Sequence, residues 1–101
     1  MIIYNVTVKA EHSIAGKWLT WLKEDHIPAI IATGCFTGAT ILRLLETDES
    51  DGITYAVQYY AESKALYNRY IEKFSELMRK QATDKWDDKF IAFRSVMEVV
   101  H

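Results

Sequence analysis

The alternation of apolar and polar residues along the chain predicts four β-strands. Residues 2–9 alternate with a period of two, which is typical of a strand that buries one face. Residues 36–46, 53–61 and 90–100 are rich in β-branched and aromatic residues and are also interpreted as strands. The acidic stretch ETDESDG separates the second strand from the third and is typical of a hairpin turn.

Two further segments repeat their apolar residues at the helical spacing and are interpreted as amphipathic helices. The first covers residues 13–31, and Ser13 is suited to cap its N-terminus. Ser63 is suited to cap the second helix in the same way. The stretch TDKWDDK, residues 83–89, is predicted to be a loop.

Pro28 interrupts the pattern of the first helix. It has no N–H group to donate, and it disfavours helical backbone angles in Ile27. We therefore expect a kink or break at residues 26–27. A short helical turn would then begin at Pro28 and end at Gly34.

The resulting element order is β-α-β-β-α-β, which is the split-βαβ or ferredoxin-like arrangement. It predicts an α+β fold in which a four-stranded antiparallel sheet, with strand order 4-1-3-2, carries both helices on one face. A chain of 101 residues has the length of one domain, and we assign residues 1–101 to a single ferredoxin-like domain.

One face of such a sheet is buried and the other is left open, because two helices can cover only one of them. We expect the helices to cover the more apolar face, with Tyr4, Val6, Val8, Tyr55, Val57, Ile91 and Phe93. The open face is then predicted to carry Asn5, Thr7, Thr54, Gln58, Tyr60, Phe90, Ala92, Arg94, Val96 and Glu98. A mixed face of this kind is typical of a surface that a protein covers, so we expect a homodimer through the open face. The alternative is a lone domain with a partly apolar exposed sheet.

Charge and cysteine content narrow the choice of partner and compartment. The net charge is −2 and no block of Lys and Arg occurs, which disfavours nucleic acid and anionic membranes as partners. Cys35 is the only cysteine, so no intrachain disulfide can form, as suits a reducing cytoplasm. We expect a cytoplasmic protein, because we find neither a signal-peptide pattern nor an apolar run that could span a bilayer.

No motif in the sequence predicts a metal or a cofactor. Cys35 has no CxxC partner, the three histidines are scattered, and there is no Gly-rich phosphate loop. The stretch DGITYAVQY, which would carry the aromatic platform of an RNA-recognition motif, has Asp51 at the basic position. We therefore predict no metal, no cofactor and no RNA site.

The candidate site lies in the stretch TWLKEDHIPAI, residues 20–30. At about 100° per residue, Asp25 falls beside Trp18 and Trp21, and His26 falls beside Leu22. Both ionisable side chains therefore continue the buried arc of the first helix. An Asp at a helix C-terminus is also disfavoured by the macrodipole. Residues that break local rules in this way are typical of functional or strained sites.

One interpretation of this stretch is a site in the gap between helix and sheet. His26 is the candidate general acid or base, and Asp25 would orient it or tune its pKa. Trp18 and Trp21 would form the walls, and the hydroxyl groups would come from Tyr4, Tyr55, Tyr59 and Tyr67. The alternative is structural. His26 would cap carbonyl groups freed by the break, Asp25 would bend into solvent, and the tryptophans would belong to the core.

Several stretches resemble a known family. MIIYNVTV, WLTWLKEDHIPAIIATGCFTGATILRL, GITYAVQYYAES and FIAFRSVMEV, which together span nearly the whole chain, are similar to an uncharacterised bacterial family of about 100 residues. That family is grouped as a domain of unknown function, so the resemblance implies no activity. More distantly, the layout is similar to the dimeric α+β barrel superfamily, which includes cofactor-free monooxygenases, lactone isomerases and haem-degrading enzymes. Some of its members have a histidine late in the first helix followed by proline, as in DHIP here, but Asn5 and Trp18 do not match the haem-degrading pattern.

The sequence thus leaves three functional hypotheses open. The first is an uncharacterised homodimer that binds a small apolar or aromatic molecule in a pocket between helix and sheet. The second is a cofactor-free enzyme, of isomerase or monooxygenase type, that uses His26 as acid or base. The third is a non-catalytic dimeric module for protein contact.

Overall fold

The computed structural model describes residues 1–101, and its four strands form one antiparallel sheet. The strands are β1 (Ile2–Glu11), β2 (Gly38–Arg43), β3 (Gly52–Ala61) and β4 (Phe90–Glu98). Their spatial order is β2-β3-β1-β4, so the two ten-residue strands occupy the centre. This confirms the predicted ferredoxin-like α+β fold and its strand order, although β2 is shorter than the predicted strand over residues 36–46.

The first helical region is continuous, so of the kink or break predicted at residues 26–27 the break is wrong. It consists of α1 (Ala15–Trp21), a π-helical turn (Leu22–His26) and α2 (Ile27–Ile31). Ile27 keeps helical angles, with φ −61° and ψ −48°, and its N–H donates to the Leu22 carbonyl five residues back. The π turn places Pro28 in the first turn of α2, where a missing N–H group is tolerated. The chain then turns at Gly34, whose φ of +79° favours glycine.

The second helical region is longer than predicted and is divided in two. It consists of α3 (Lys64–Lys73) and α4 (Ser75–Trp86), which meet at Phe74. The prediction of a loop over residues 83–89 is therefore wrong at its first four residues. The buried side chain of Trp86 explains the extension, because it anchors the last turn of α4 against the protein.

The two predicted serine caps have different outcomes. The Ser63 hydroxyl accepts a hydrogen bond from the Leu66 N–H at 3.2 Å, which confirms it as the N-cap of α3. Ser13 caps nothing, because α1 begins one residue later, with Ile14 at the N-cap position and no side-chain hydrogen bond there.

The core lies between the helices and one face of the sheet. Tyr4 is at its centre, with ring centroids of Tyr59, Tyr67 and Tyr70 within 6.0 Å of its own. Trp18 is 3% exposed and stacks on Tyr55 at 5.5 Å. The predicted burial of Tyr4, Val8, Tyr55 and Val57 beneath the helices is confirmed.

The face assignment predicted for the last strand is wrong. In the register of β1 and β4, Val6 pairs with Arg94 and Thr7 pairs with Phe93, and paired residues share a face. The helix-facing side of β4 therefore carries Phe90, Ala92, Arg94, Val96 and Glu98, which had been predicted on the open face. Ile91 and Phe93, predicted beneath the helices, lie instead on the open face and are 59% and 70% exposed. Because both faces of this strand carry apolar residues, its own alternation does not fix which face is buried.

Candidate functional site

A cavity between the helices and the sheet contains the candidate site. Its volume is about 50 Å³, and it is partly open to solvent. Fourteen of its seventeen lining residues are hydrophobic, and the other three are His26, Arg79 and Arg94. An apolar cavity of about 150 Å³ is large enough to hold benzene, so this cavity of about 50 Å³ encloses only part of a ring-sized guest, which must extend through the opening.

The π turn places His26 in this cavity. A π turn takes more residues per revolution than an α-helix, so each residue advances less around the axis. His26, four residues after Leu22, therefore lies almost directly over that buried leucine. The imidazole stacks on Trp21 with ring centroids 4.4 Å apart and an angle of 22° between the planes.

The imidazole of His26 is electrostatically unusual. Its Nδ1 atom is buried and has no hydrogen-bond partner, so it caps no carbonyl group. Burial, assisted by the positive charge of Arg94, lowers the pKa of His26 from 6.5 to about 4. At neutral pH the ring is therefore uncharged, with one N–H group and one bare nitrogen. It is present as a base or hydrogen-bonding group rather than as a cationic acid.

Three tyrosines from different elements line the same cavity. They are Tyr4 of β1, Tyr59 of β3 and Tyr70 of α3. Burial raises the pKa of both Tyr59 and Tyr70, so their phenols stay protonated across the physiological pH range. They can therefore donate hydrogen bonds to a guest.

Two arginines carry the only charges of the cavity lining at neutral pH. Arg79 comes from α4 and Arg94 from β4, and both side chains are exposed. Neither belongs to the two salt bridges of the chain, which are Arg43–Glu49 and Lys80–Asp84. No carboxylate lines the cavity.

The structure brings together only part of the residue set predicted from sequence. His26, Trp18, Trp21 and Tyr4 line the cavity, as does Tyr59. Tyr55 is packed on Trp18, and Tyr67 packs beside Tyr4 at 5.6 Å, but neither is part of the lining.

Asp25 does not face the gap between helix and sheet. It is exposed in a separate outer groove, together with Lys17, Glu24 and Lys85. The slower rotation of the π turn explains the difference, because Asp25 falls further behind the buried Leu22 than it would in a regular helix. The structure thus separates the two ionisable residues that the sequence analysis had paired.

Sequence reasoning missed Arg79, Arg94 and Tyr70. Arg94 had been assigned to the wrong face of its strand, and Arg79 was not named as a site residue. The pairing of β4 with β1 would have placed Arg94 on the helix-facing side, because Arg94 lies opposite Val6, which belongs to a clearly apolar face. Tyr70 was likewise not named as part of a site.

Neither metal ligation nor a membrane span is indicated by the side chains. No group of three or more His, Cys, Asp or Glu residues is placed to hold a metal ion. No helix combines the length and apolar character that crossing a bilayer requires.

The comparison with known families agrees with the resemblance seen in the sequence. The model of a domain of unknown function, DUF4286, matches residues 1–100. The chain belongs to this family. No curated protein matches its sequence.

Solved structures place this DUF4286 chain among ferredoxin-like proteins at low sequence identity. It is similar to a dimeric ferredoxin-like protein from an uncultured marine organism, with a TM-score of 0.74, 10% identity, and coverage of 99% of this chain and 95% of the other. A second dimeric ferredoxin-like protein of marine origin gives a TM-score of 0.71 at 12% identity, covering 100% and 96%. A mutant of SnoaB, a cofactor-independent oxygenase from Streptomyces nogalater, gives a TM-score of 0.70 at 11% identity, covering 99% and 94%. At these identities the likeness concerns the fold alone.

Proposed function

We propose that this DUF4286 protein is a homodimer that binds a small, largely apolar molecule in the cavity beside His26. The observation that carries the proposal is an apolar cavity lined by His26, a residue whose Nδ1 atom is buried without a hydrogen-bond partner. A buried polar atom normally finds a hydrogen bond within the protein or to water. A guest that forms a hydrogen bond with Nδ1 would satisfy this atom and would also fill the cavity.

The composition of the lining supports a mostly apolar guest. Aromatic and aliphatic side chains form nearly the whole wall, and the tyrosine hydroxyls and the imidazole offer a few directed hydrogen bonds. This combination is typical of small-molecule sites. Because the cavity is only about 50 Å³, a ring-sized guest must also use the open end or displace a side chain.

The open sheet face supports the homodimer. Leu42, Ile91, Phe93 and Met97 are large apolar residues on that face, and each is at least 40% exposed. Apolar side chains exposed together on a sheet are typical of a surface that a partner covers. Two proteins of similar fold are described as dimeric, which favours a second copy of this chain as the partner.

A second candidate function is proton transfer on the bound molecule. It is favoured by the position of His26 in the cavity lining, where a neutral imidazole could accept a proton from a guest. With a pKa of about 4 the imidazole is a weak base, so it suits only a guest with an acidic C–H group. SnoaB, which is similar in fold, is described as a cofactor-independent oxygenase, so a fold of this kind can carry an enzyme that needs no cofactor. The test is exchange of the acidic C–H protons of acetylacetone with D₂O, where only the wild type and not His26→Leu should accelerate exchange.

The cytoplasmic location expected from the sequence stays a prediction. Cys35 is buried and forms no disulfide, which agrees with a reducing compartment.

The experiment that tests the binding proposal fills the cavity with a larger side chain. Ala82 of α4 lines the cavity, whereas Ala65 of α3 is exposed and does not, so Ala82→Leu and Ala65→Leu form a matched pair. A library of small aromatic and aliphatic compounds is screened by NMR, following the indole N–H signals of Trp18 and Trp21. We expect hits to shift these signals in the wild type and in Ala65→Leu but not in Ala82→Leu.

Two results would contradict the proposal. One is the absence of any hit in the wild type. The other is a set of hits that Ala82→Leu binds as well as Ala65→Leu does. The first would favour a non-catalytic protein-contact module, and the second would place the binding surface elsewhere.

A further inference from the structure

The charges around the cavity define its guest more closely than its apolar wall does. Apart from hydrophobic residues, only His26, Arg79 and Arg94 line it, and the imidazole is neutral. The cavity therefore presents two guanidinium groups to a guest and no carboxylate. An uncompensated positive charge beside an apolar space favours a guest that carries a negative charge.

Both guanidinium groups are free to bind an anion. Neither makes a salt bridge within the chain. On the helix-facing side of β4, Arg94 is flanked by Ala92 and Val96 and lies opposite Val6, so none of these neighbours is acidic. Glu76 lies one helical turn before Arg79 but forms no ion pair with it. Each guanidinium keeps its five N–H donors, in a planar fork that matches a carboxylate.

The dimensions of the cavity agree with a guest that has a short apolar part and a charged head group. The space of about 50 Å³ holds only a short apolar group, and the lining continues to the two exposed arginines. A charged head group would be costly to enclose among aromatic rings, whereas at the arginines it would stay partly solvated. The apolar part of the guest would then lie toward Trp18 and Tyr59, and the carboxylate held at Arg94 would lie on the side of His26.

We infer that the guest is a small organic carboxylate, or a similar small monoanion, whose apolar part fills the cavity and whose negative charge is held by Arg79 and Arg94. This inference rests on the proposed function and names the chemical class of its ligand. The same geometry excludes inorganic anions as the preferred guest, because they have nothing to place in the apolar part.

Binding of the carboxylate would also change the state of His26. The groups that face it are Arg94 of β4, Arg79 of α4 and the neutral tyrosines of β1, β3 and α3. An anion held at Arg94 opposes the positive charge that disfavours the imidazolium ion. The guest should therefore raise the pKa of His26, so that binding takes up protons as the pH falls toward that value.

The test compares charged and uncharged guests of the same shape. Butyrate and benzoate are titrated calorimetrically into the full chain at pH 7.5, next to butyramide and benzamide, and inorganic phosphate is included as an anion without an apolar part. The variants are Arg94→Gln and Arg79→Gln. Arg69→Gln is the matched control, since Arg69 is an exposed arginine on α3 outside the cavity lining.

We expect each carboxylate to bind the wild type at least tenfold more tightly than its amide or phosphate. Arg94→Gln and Arg79→Gln should each weaken carboxylate binding at least fivefold and weaken amide binding much less, and Arg69→Gln should change neither. Equal binding of carboxylate and amide would overturn the inference but leave the proposed binding site standing. Equal weakening by Arg69→Gln would overturn it as well, since the effect would then reflect net charge alone.

Two further outcomes are decisive. If phosphate binds as tightly as the carboxylates, the apolar part of the guest is irrelevant and the inference fails. If neither carboxylates nor amides bind, the inference fails together with the ligand site itself. A second readout is the pKa of His26, followed by NMR. Butyrate should raise this pKa in the wild type but not in Arg94→Gln. An unchanged wild-type pKa at saturating butyrate would overturn the coupling between carboxylate binding and His26.

Discussion

His26 occupies a position that costs the folded chain stability. An unpaired buried polar group costs about 1–3 kcal/mol, and the Nδ1 atom of His26 is such a group. The stack on Trp21 offsets part of this cost, because aromatic pairs contribute about 0.5–1.5 kcal/mol. A leucine would fill the same space without an unpaired atom, so folding alone gives no reason for an imidazole here.

The first prediction concerns the stability of His26→Leu. We expect its free energy of unfolding at pH 7 to equal that of the wild type or to exceed it by up to about 2 kcal/mol, since the variant removes an unpaired polar atom. Urea unfolding measures this difference. A clear loss of stability would contradict the account, because it would mean that the imidazole holds the π turn together.

The second prediction concerns the pH dependence of stability. The pKa of His26 falls from 6.5 in the unfolded chain to about 4 in the folded one. As the pH drops, the unfolded chain therefore binds a proton first, and stability decreases between pH 6.5 and 4. A difference of this size corresponds to roughly 3 kcal/mol at most. Urea unfolding from pH 7 to 4 should reveal this extra loss in the wild type and not in His26→Leu.

The control for the pH series is His101→Gln, which removes an exposed terminal imidazole. It should lose stability on acidification as the wild type does. Parallel curves for the wild type and His26→Leu would contradict the lowered pKa.

At the scale of elements, the π turn decides which side chain of the first helical region reaches the cavity. Periodicity located both helical regions and the buried arc of the first one, and it placed His26 near Leu22. Periodicity could not predict a π turn, because it assumes the same rotation about the helix axis for every residue. For that reason one interpretation placed Asp25 beside His26, whereas Asp25 is exposed, as the structural alternative expected. The helix also continues through Pro28, where a kink or a break was expected.

The third prediction separates the two serines proposed as caps. We expect Ser63→Ala to lower the free energy of unfolding by about 1 kcal/mol, because its hydroxyl accepts the Leu66 N–H bond of α3. Ser13→Ala is the matched control and should leave stability nearly unchanged, since Ser13 caps no helix. Thermal and urea unfolding measure both variants, and equal effects would contradict the helix starts described above.

At the scale of the whole molecule, the sheet has one face under the helices and one face open. Element order and handedness rules were enough to predict the strand order and to assign the faces of β1 and β3. They were not enough for β4, which is apolar on both sides, so its register against β1 had to be known. Because of that one error, the sequence analysis left Arg94 out of the site and Phe93 out of the open face.

The fourth prediction concerns assembly through the open face. Phe93 is 70% exposed at that face, so Phe93→Glu should place a charge in the proposed interface and give a monomer. Leu77→Glu is the matched control, because Leu77 is 53% exposed on α4, and it should leave the dimer intact. Light scattering after size exclusion measures both masses. A wild-type monomer, or a Phe93→Glu dimer, would contradict assembly through the sheet.

In the lining of the apolar cavity, His26 is a neutral imidazole whose Nδ1 atom has no hydrogen-bond partner. The most direct measurement is an NMR titration of the His26 ring in the wild-type protein without added ligand, with the exposed His101 as an internal reference. We expect a pKa of about 4 for His26. A value near 6.5, the ordinary one for histidine, would mean that the ring lies in water and that the cavity beside it does not hold the site.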